Sequence, residues 1–213
     1  MMLILTGQIS SKYCRWAGAI SWYKNNYKYT AIGKLVYELK YGNFSNDERQ
    51  QKINELATFV SCYVNIIKRY LKASSILLVA MPSYKPLGKF KIPYGIVSKI
   101  SNDNIVDCSD YVKKTKDFQA KNIRVSETAT FEGSFVSSAM PQQDAPILLL
   151  DDLFGTGRTA KCVTEAIRRK NNNPIYFLSL TANKYGGAKG ASRNNAIIET
   201  DGFTNWFKGI TNG

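Results

Sequence analysis

The chain has 213 residues with 29 lysines and arginines against 16 aspartates and glutamates, which gives a formal net charge of +13, and it contains no histidine. Its 44% of hydrophobic residues is enough to fill a domain core, which excludes a disordered or fibrous chain. Without histidine, Ser-His-Asp and Cys-His catalysis and histidine-ligated metal sites are also excluded. Any acid, base or metal chemistry must therefore use other side chains or the backbone.

Four widely spaced cysteines, Cys14, Cys62, Cys108 and Cys162, form no C-x-x-C pair. We therefore expect reduced thiols in a cytoplasmic protein and no zinc site. The apolar run at residues 1–5 is too short for a signal peptide and lacks a preceding basic region. Since no stretch approaches the roughly 20 apolar residues that cross a bilayer, no membrane partner is expected.

The positive charge is concentrated in residues 1–75, which contain 11 basic and 4 acidic residues. Aromatic and basic side chains alternate there, and such a surface can stack on bases and contact phosphates. Single-stranded nucleic acid is therefore one partner that the sequence leaves open. The alternatives are a hood over the active site or ordinary packing for the aromatic residues, and solubility for the charge. The residues concerned are Tyr13, Trp16, Trp22, Tyr23, Tyr27 and Tyr29, with Lys12, Arg15, Lys24 and Lys28.

Two amphipathic helices are predicted next. Residues 30–41 have apolar residues at helical spacing. A longer helix follows the capping box of Ser45 and Glu48 and continues to about Lys72. The continuous apolar run at residues 76–80 then predicts a strand that is buried on both faces.

The middle of the chain carries weaker patterns. A short helix is predicted at residues 94–100 and a strand at residues 104–108. From Asp110 to Met140 the sequence is irregular, polar and rich in Lys, Ser and Thr. Such a composition is typical of an extended excursion from the fold.

A strand, a helix and a second strand are predicted after this excursion. ILLLDD at residues 147–152 is a buried strand that ends in two acids, LFGTGRT is a glycine-containing turn, and AKCVTEAIRRK is a helix. IYFLSLT at residues 175–181 is the second strand, so the order is that of a right-handed βαβ unit in a parallel sheet. The tail beyond it contains the aromatic residues Phe203, Trp206 and Phe207.

The turn between these two strands has the features of a phosphate site. Gly155 and Gly157 let the backbone approach an anion closely, and the hydroxyls of Thr156 and Thr159 can donate to its oxygens. A strand that leads into a helix also aims unpaired backbone N–H groups at this point.

The acidic pair Asp151 and Asp152 comes directly before that turn. These carboxylates are placed to accept hydrogen bonds from vicinal hydroxyls or to hold Mg²⁺. A phosphate next to a diol describes a ribose 5-phosphate. The turn lacks the G-x-x-x-x-G-K-[ST] order of a Walker A loop, and the alternative is a plain strand–turn–helix in which the pair caps the turn.

The segment LLLDDLFGTGRT resembles the phosphoribosyl pyrophosphate (PRPP) signature of type I phosphoribosyltransferases. Further blocks, in the usual order, resemble the ComF-like, competence-associated branch of that family. The resemblance covers most of residues 31–182, and its PRPP loop is the most specific part. The further blocks are residues 35–44, 76–82, 113–122 and 131–135.

The resemblance implies an α/β fold of the type I phosphoribosyltransferase kind, in which a mostly parallel twisted sheet is flanked by helices. It implies one domain with a small hood or N-terminal helical elaboration. Residues 1–75 would form this elaboration, residues 76–182 the core, and residues 183–213 a C-terminal tail or hood.

The resemblance also implies roles for individual residues. Asp151 and Asp152 would bind the ribose hydroxyls, with Mg²⁺ nearby. The pyrophosphate of PRPP would contact a loop after the first core strand, and a lysine-rich mobile lid would close over the site. The 5-phosphate would be enclosed by Phe154, Gly155, Thr156, Gly157, Arg158 and Thr159; the pyrophosphate loop would contain Met81, Pro82, Ser83 and Lys85; and the lid would contain Lys113, Lys114 and Thr115.

The implied activity is a Mg²⁺-dependent transfer of the 5-phosphoribosyl group from PRPP to a nitrogenous acceptor, with Asp151, Asp152, Lys113 and Lys114 as candidate catalytic residues. Gly155 stands where oxopurine salvage enzymes of this family carry an aspartate, which disfavours hypoxanthine or guanine as the acceptor. PRPP or a nucleotide is the expected partner, and a homodimer is left open. The alternative is a non-enzymatic, nucleotide-responsive protein that binds single-stranded nucleic acid, or a competence-type accessory protein.

Overall fold

A computed structural model describes residues 4–5, 13–82, 91–115, 133–141, 144–183, 206 and 209 of the chain. Its helices are α1 (Ala31–Tyr41), α2 (Asn46–Tyr70), α3 (Ile92–Ile100) and α4 (Arg158–Arg168), with one 3₁₀ turn at Ser109–Tyr111. Its strands are β1 (Ile4–Leu5), β2 (Cys14–Trp22), β3 (Lys24–Asn25), β4 (Lys28–Tyr29), β5 (Ile76–Ala80), β6 (Ile105–Asp107), β7 (Val112–Lys114), β8 (Phe135–Ser137), β9 (Ile147–Phe154) and β10 (Ile175–Ala182).

The centre of the fold is a six-stranded sheet with the strand order β1-β2-β10-β9-β5-β6. Five of these strands are parallel, and only β1 pairs antiparallel, with β2. Every residue of β5 and β10 is buried, as expected for parallel strands that are covered on both faces. The predicted fold class, a mostly parallel sheet flanked by helices, is confirmed.

The two faces of the sheet carry different layers. Leu78, Leu148 and Leu178 pack into a core with α1, α2 and α3. Leu77 and Leu149 point to the opposite face, where they pack with α4 and the small β7–β8 sheet. The alternation of side chains along each strand thus builds two cores, one on each side of the sheet.

The predicted helices are confirmed, and their ends have local causes. Thr30 caps α1 by accepting a hydrogen bond from the Gly33 N–H at 3.0 Å. Both hydrogen bonds of the predicted capping box at Ser45 and Glu48 are present at the start of α2. Within the described part of the chain, no helix combines the length and the apolar character needed to span a bilayer.

Residues 14–22 differ from the sequence-based expectation. They were predicted to belong to a helical elaboration with a basic, aromatic surface, but they form β2, which pairs in parallel with β10 inside the main sheet. Trp16 is buried in the core and is not available for stacking on a base. The small residues Ala17, Gly18 and Ala19 occupy the centre of this segment, so it lacks the run of large apolar side chains that predicts a buried strand. Its pairing with β10 defines it as a strand.

The polar excursion between Asp110 and Met140 is described only at its ends. There β7 pairs antiparallel with β8, and the Thr115 N–H donates to the Ser134 carbonyl at 2.8 Å. The two described ends of the excursion therefore lie next to each other. Residues 116–132 lie outside the described residues, as do Phe203 and Phe207, whereas the ring of Trp206 lies against Tyr70 with a centroid distance of 5.2 Å.

Candidate functional site

The carboxyl ends of β5 and β9 form a topological switch point. The chain leaves β5 through α3 on one face and returns in β6, whereas it leaves β9 through α4 on the other face and returns in β10. In open α/β sheets, neighbouring strands whose connections diverge in this way leave a crevice in which ligands bind. The Met81 N–H donates to the Leu150 carbonyl at 2.8 Å, so the residue after β5 lies beside Asp151.

The predicted acidic pair lies at this switch point and is held by three contacts. The Asp152 N–H donates to Asp151 Oδ1 at 2.8 Å, and the Thr181 hydroxyl donates to the Asp152 carbonyl at 2.8 Å. The third contact is an ion pair between Lys40 Nζ and Asp152 Oδ1 at 2.6 Å. Both residues are partly buried, and the Asp152 side chain keeps 20% of its surface exposed.

Electrostatics favour the neutral form of Asp151. Burial, and after it the neighbouring negative charge of Asp152, raise the pKa of Asp151 to about 7. The positive charge of Lys40 and the hydrogen bond from the Asp152 N–H act in the opposite direction and do not cancel these effects. Asp151 can therefore carry a proton near neutral pH, and it can then donate as well as accept a hydrogen bond.

The glycine turn after β9 leads directly into the start of α4. Gly157 is the N-cap of α4 and has a φ of 72°, a conformation that favours glycine. Because glycine has no side chain, the N-cap residue itself offers no acceptor to the N–H groups of the first turn. That turn contains no acidic residue, Gly155 and Thr156 are exposed, and Arg158 and Thr159 are partly exposed. Exposed N–H groups at the positive end of a helix dipole favour a phosphate.

Other predicted site residues occupy different positions. Phe154 directs its ring against Phe177, with a centroid distance of 5.7 Å, so its side chain supports the sheet at the base of the turn. Met81 and Pro82 are buried directly after β5, at the switch point. Lys113 and Lys114 lie on β7, in the separate two-stranded sheet and not on a strand of the main sheet. Two further members of the predicted pyrophosphate loop, Ser83 and Lys85, lie outside the described residues.

Lys40 is the site residue that the sequence analysis missed. It lies one residue after the buried Leu39 and one helical turn after the buried Val36, beside the stripe of α1 that faces the core. The available signal, a lysine next to a core-facing stripe, is weak, because a long side chain at such a position can also extend its charged end into water. Nothing in the sequence indicated that the partner would lie 112 positions away.

A row of tyrosines extends over the outside of β4 and α1. This tyrosine ladder consists of Tyr23, Tyr29, Tyr37 and Tyr41, with consecutive ring centroids 5.3, 4.7 and 5.2 Å apart. Lys24 Nζ lies 4.3 Å from the centre of the Tyr29 ring. Three of the four rings are exposed, with Tyr41 at 70%. The ladder therefore presents aromatic faces and a cation to solvent.

Carboxylates are suitable ligands for Mg²⁺, but the described residues do not form a complete metal site. Asp152 Oδ1 is paired with Lys40, and Asp151 Oδ1 accepts a backbone N–H. In the part of the chain that the structure describes, no group of three or more acidic or cysteine side chains could hold a metal ion. Among the described residues, Asp151 and Asp152 would therefore supply only part of the coordination shell of a Mg²⁺ ion.

No family model and no curated protein matches the chain. Among solved structures it is similar to a hypoxanthine phosphoribosyltransferase from Staphylococcus aureus, with a TM-score of 0.38 and 14% sequence identity. The match covers 62% of this chain and 64% of that enzyme, so the chain spans less than two thirds of the enzyme's length. Since one fold can support many activities, function has to be inferred from the site.

Proposed function

We propose that this protein binds a ribose 5-phosphate group, as part of PRPP or a nucleotide, and transfers the 5-phosphoribosyl group of PRPP to a nitrogenous acceptor. The observation that supports this proposal best is the position of the acidic pair directly before the glycine-capped start of α4, at the switch point of the sheet. The pair offers acceptors for a diol. The helix start that follows it in the chain offers donors for a phosphate.

The arrangement also suits the charges of the proposed reaction. When the bond between C1 of the ribose and the pyrophosphate oxygen breaks, the electron pair leaves with pyrophosphate and positive charge develops on the sugar ring. Carboxylates at Asp151 and Asp152 would stabilise that charge through the ribose hydroxyls. Asp151 and Asp152 would hold part of the shell of a Mg²⁺ ion bound together with PRPP, and such an ion would supply positive charge to the leaving pyrophosphate.

Binding of the phosphate to the turn can be tested with a G155A variant. A Cβ at Gly155 meets no described atom within 4 Å, so folding should be unaffected. A phosphate held by the turn would approach this backbone closely, and we expect the added methyl group to weaken calorimetric binding of PRPP with Mg²⁺ by about tenfold or more, as for a loss of about 1.4 kcal/mol. Equal affinities of wild type and G155A would contradict a phosphate at this turn.

Transfer itself requires a separate assay. The protein is incubated with PRPP, Mg²⁺ and a panel of nucleobases and nucleic acids, and released pyrophosphate is measured. Pyrophosphate release that depends on one acceptor would identify the substrate. Binding of PRPP without release for any acceptor would reduce the proposal to a nucleotide-binding protein.

The tyrosine ladder favours a second candidate function, the binding of single-stranded nucleic acid. Exposed aromatic rings next to lysines can stack on successive bases, at about 1–3 kcal/mol for each base. We expect a Y37A/Y41A variant to bind an oligothymidine at least tenfold more weakly in a fluorescence anisotropy titration. The matched control is F59A, which removes an exposed aromatic ring on α2 outside the ladder. Affinity that is insensitive to salt, or equal losses in both variants, would exclude this function.

A further inference from the structure

The ion pair between Lys40 and Asp152 joins two distant parts of the chain at the candidate site. Lys40 Nζ lies 2.6 Å from Asp152 Oδ1, and the side chains are only 16% and 20% exposed. Lys40 belongs to the last turn of α1 and Asp152 to the carboxyl end of β9. An ion pair that is shielded to this extent is screened less by salt than a surface pair.

The pair determines how Asp152 is presented. The Asp152 backbone is held by its N–H, which donates to Asp151, and by its carbonyl, which accepts from Thr181. Its side chain is held by Lys40 through Oδ1. With these three contacts fixed, Oδ2 is the carboxylate oxygen of Asp152 that is left to accept a hydrogen bond from a ligand.

Lys40 also changes the charge of the site. When both carboxylates are ionised, above the raised pKa of Asp151, the pair without Lys40 would carry a charge of −2 in a partly buried position, and such a site attracts divalent cations. The ammonium group halves this charge and occupies one of the four carboxylate oxygens. A ribose hydroxyl is neutral and needs only an oriented acceptor. The lower negative charge of the site therefore does not disfavour the binding of a ribose hydroxyl.

We propose that Lys40 is a positioning and selectivity residue. It orients Asp152 toward a ribose hydroxyl, and it keeps the acidic pair from binding a free divalent cation when no phosphorylated ligand is present. The orienting role rests on the proposed function, whereas the exclusion of the free cation does not.

The exclusion of cations is tested with the full-length protein and Mn²⁺ alone, whose binding is followed by electron paramagnetic resonance. Removal of one neighbouring positive charge in K40M is expected to tighten Mn²⁺ binding by about tenfold or more. The matched control is K34M, which removes a lysine from the same helix whose side chain is 70% exposed and whose partner is Glu38. K34M should bind Mn²⁺ as weakly as wild type, and so should K40R.

Two further variants keep this test decisive. K40Q removes the charge but keeps a hydrogen-bond donor, and it replaces K40M if the latter does not fold. K40M/D152N restores the charge of the site and should return Mn²⁺ binding to the wild-type level. If neither K40M nor K40Q binds Mn²⁺ more tightly than K34M, the exclusion role is wrong.

The orienting role is measured by calorimetry with ribose 5-phosphate in the absence of metal. K40M is expected to bind at least tenfold more weakly than wild type, with K40R restoring most of the affinity and K34M showing no change. Equal affinities of K40M and wild type would overturn this role. A wild-type protein that does not bind ribose 5-phosphate would refute the proposed function and the orienting role, whereas the Mn²⁺ result would still decide the exclusion role.

Discussion

Replacing both acids of the site, in a D151N/D152N variant, is expected to abolish calorimetrically detectable binding of PRPP in the presence of Mg²⁺. A hydrogen bond to a charged group contributes about 1.5–3 kcal/mol, so the loss of two such bonds corresponds to a fall in affinity of about 10²-fold to 10⁴-fold. An asparagine keeps the shape of the side chain but removes the negative charge and half of its accepting capacity.

The fold should tolerate this double substitution. Burial and the neighbouring carboxylate already disfavour the charged form of Asp151, so a neutral side chain is acceptable there. Lys40 is partly exposed, and its ammonium group can turn toward water when Asp152 is replaced. The matched control, D103N/D144N, makes the same change of charge at two exposed positions outside the site. Unchanged affinity in D151N/D152N, or an equal loss in the control, would remove the proposed ribose site.

A G33A substitution is expected to destabilise the protein by about 3 kcal/mol, the upper end of the usual range for overpacking. A Cβ at Gly33 would lie 2.0 Å from the Tyr23 carbonyl oxygen and 2.9 Å from Thr30 Oγ1. The carbonyl belongs to the backbone, and it accepts a hydrogen bond from the Thr30 N–H at 3.3 Å, so it cannot simply rotate away. The start of α1 would have to move off the end of β2.

The effect of G33A is measured by thermal unfolding followed by circular dichroism. A loss of about 3 kcal/mol corresponds to a decrease in Tm of roughly 6–12 °C for a chain of this size. G155A, where the added methyl group meets no described atom, is the control and should unfold close to the wild-type temperature. Equal Tm values for G33A and G155A would mean that α1 does not pack against the Tyr23 carbonyl as described.

Several parts of the fold could be predicted because their causes are local. The capping box at Ser45 starts α2 through contacts within four residues. The run at residues 147–150 is buried on both faces and therefore contains only apolar side chains, which is visible without any knowledge of its neighbours. The acidic pair and the glycine turn follow that strand directly, so the core of the candidate site is one continuous segment.

Other features depend on contacts between distant residues. The strand β2 has small residues at its centre, and it is defined by its pairing with β10 more than 150 positions later. The tyrosine ladder combines rings from two elements, β4 and α1, with Tyr23, which lies between β2 and β3. The sequence identified Tyr23 and Tyr29 as members of an aromatic, basic segment, but it did not indicate their stacking on Tyr37 and Tyr41 or the pairing of β2, because both are set by the packing of whole elements.

The sequence by itself determined the basic, histidine-free character of the chain, its α1, α2 and βαβ elements, and the segment from Asp151 to Thr159 that offers hydroxyl acceptors and phosphate donors. Only the tertiary structure decided that this segment lies at a switch point beside β5 and that Lys40 reaches Asp152. The physical reason is that local patterns depend on backbone geometry and burial, whereas the charge and orientation of a site depend on which side chains the packed elements bring together.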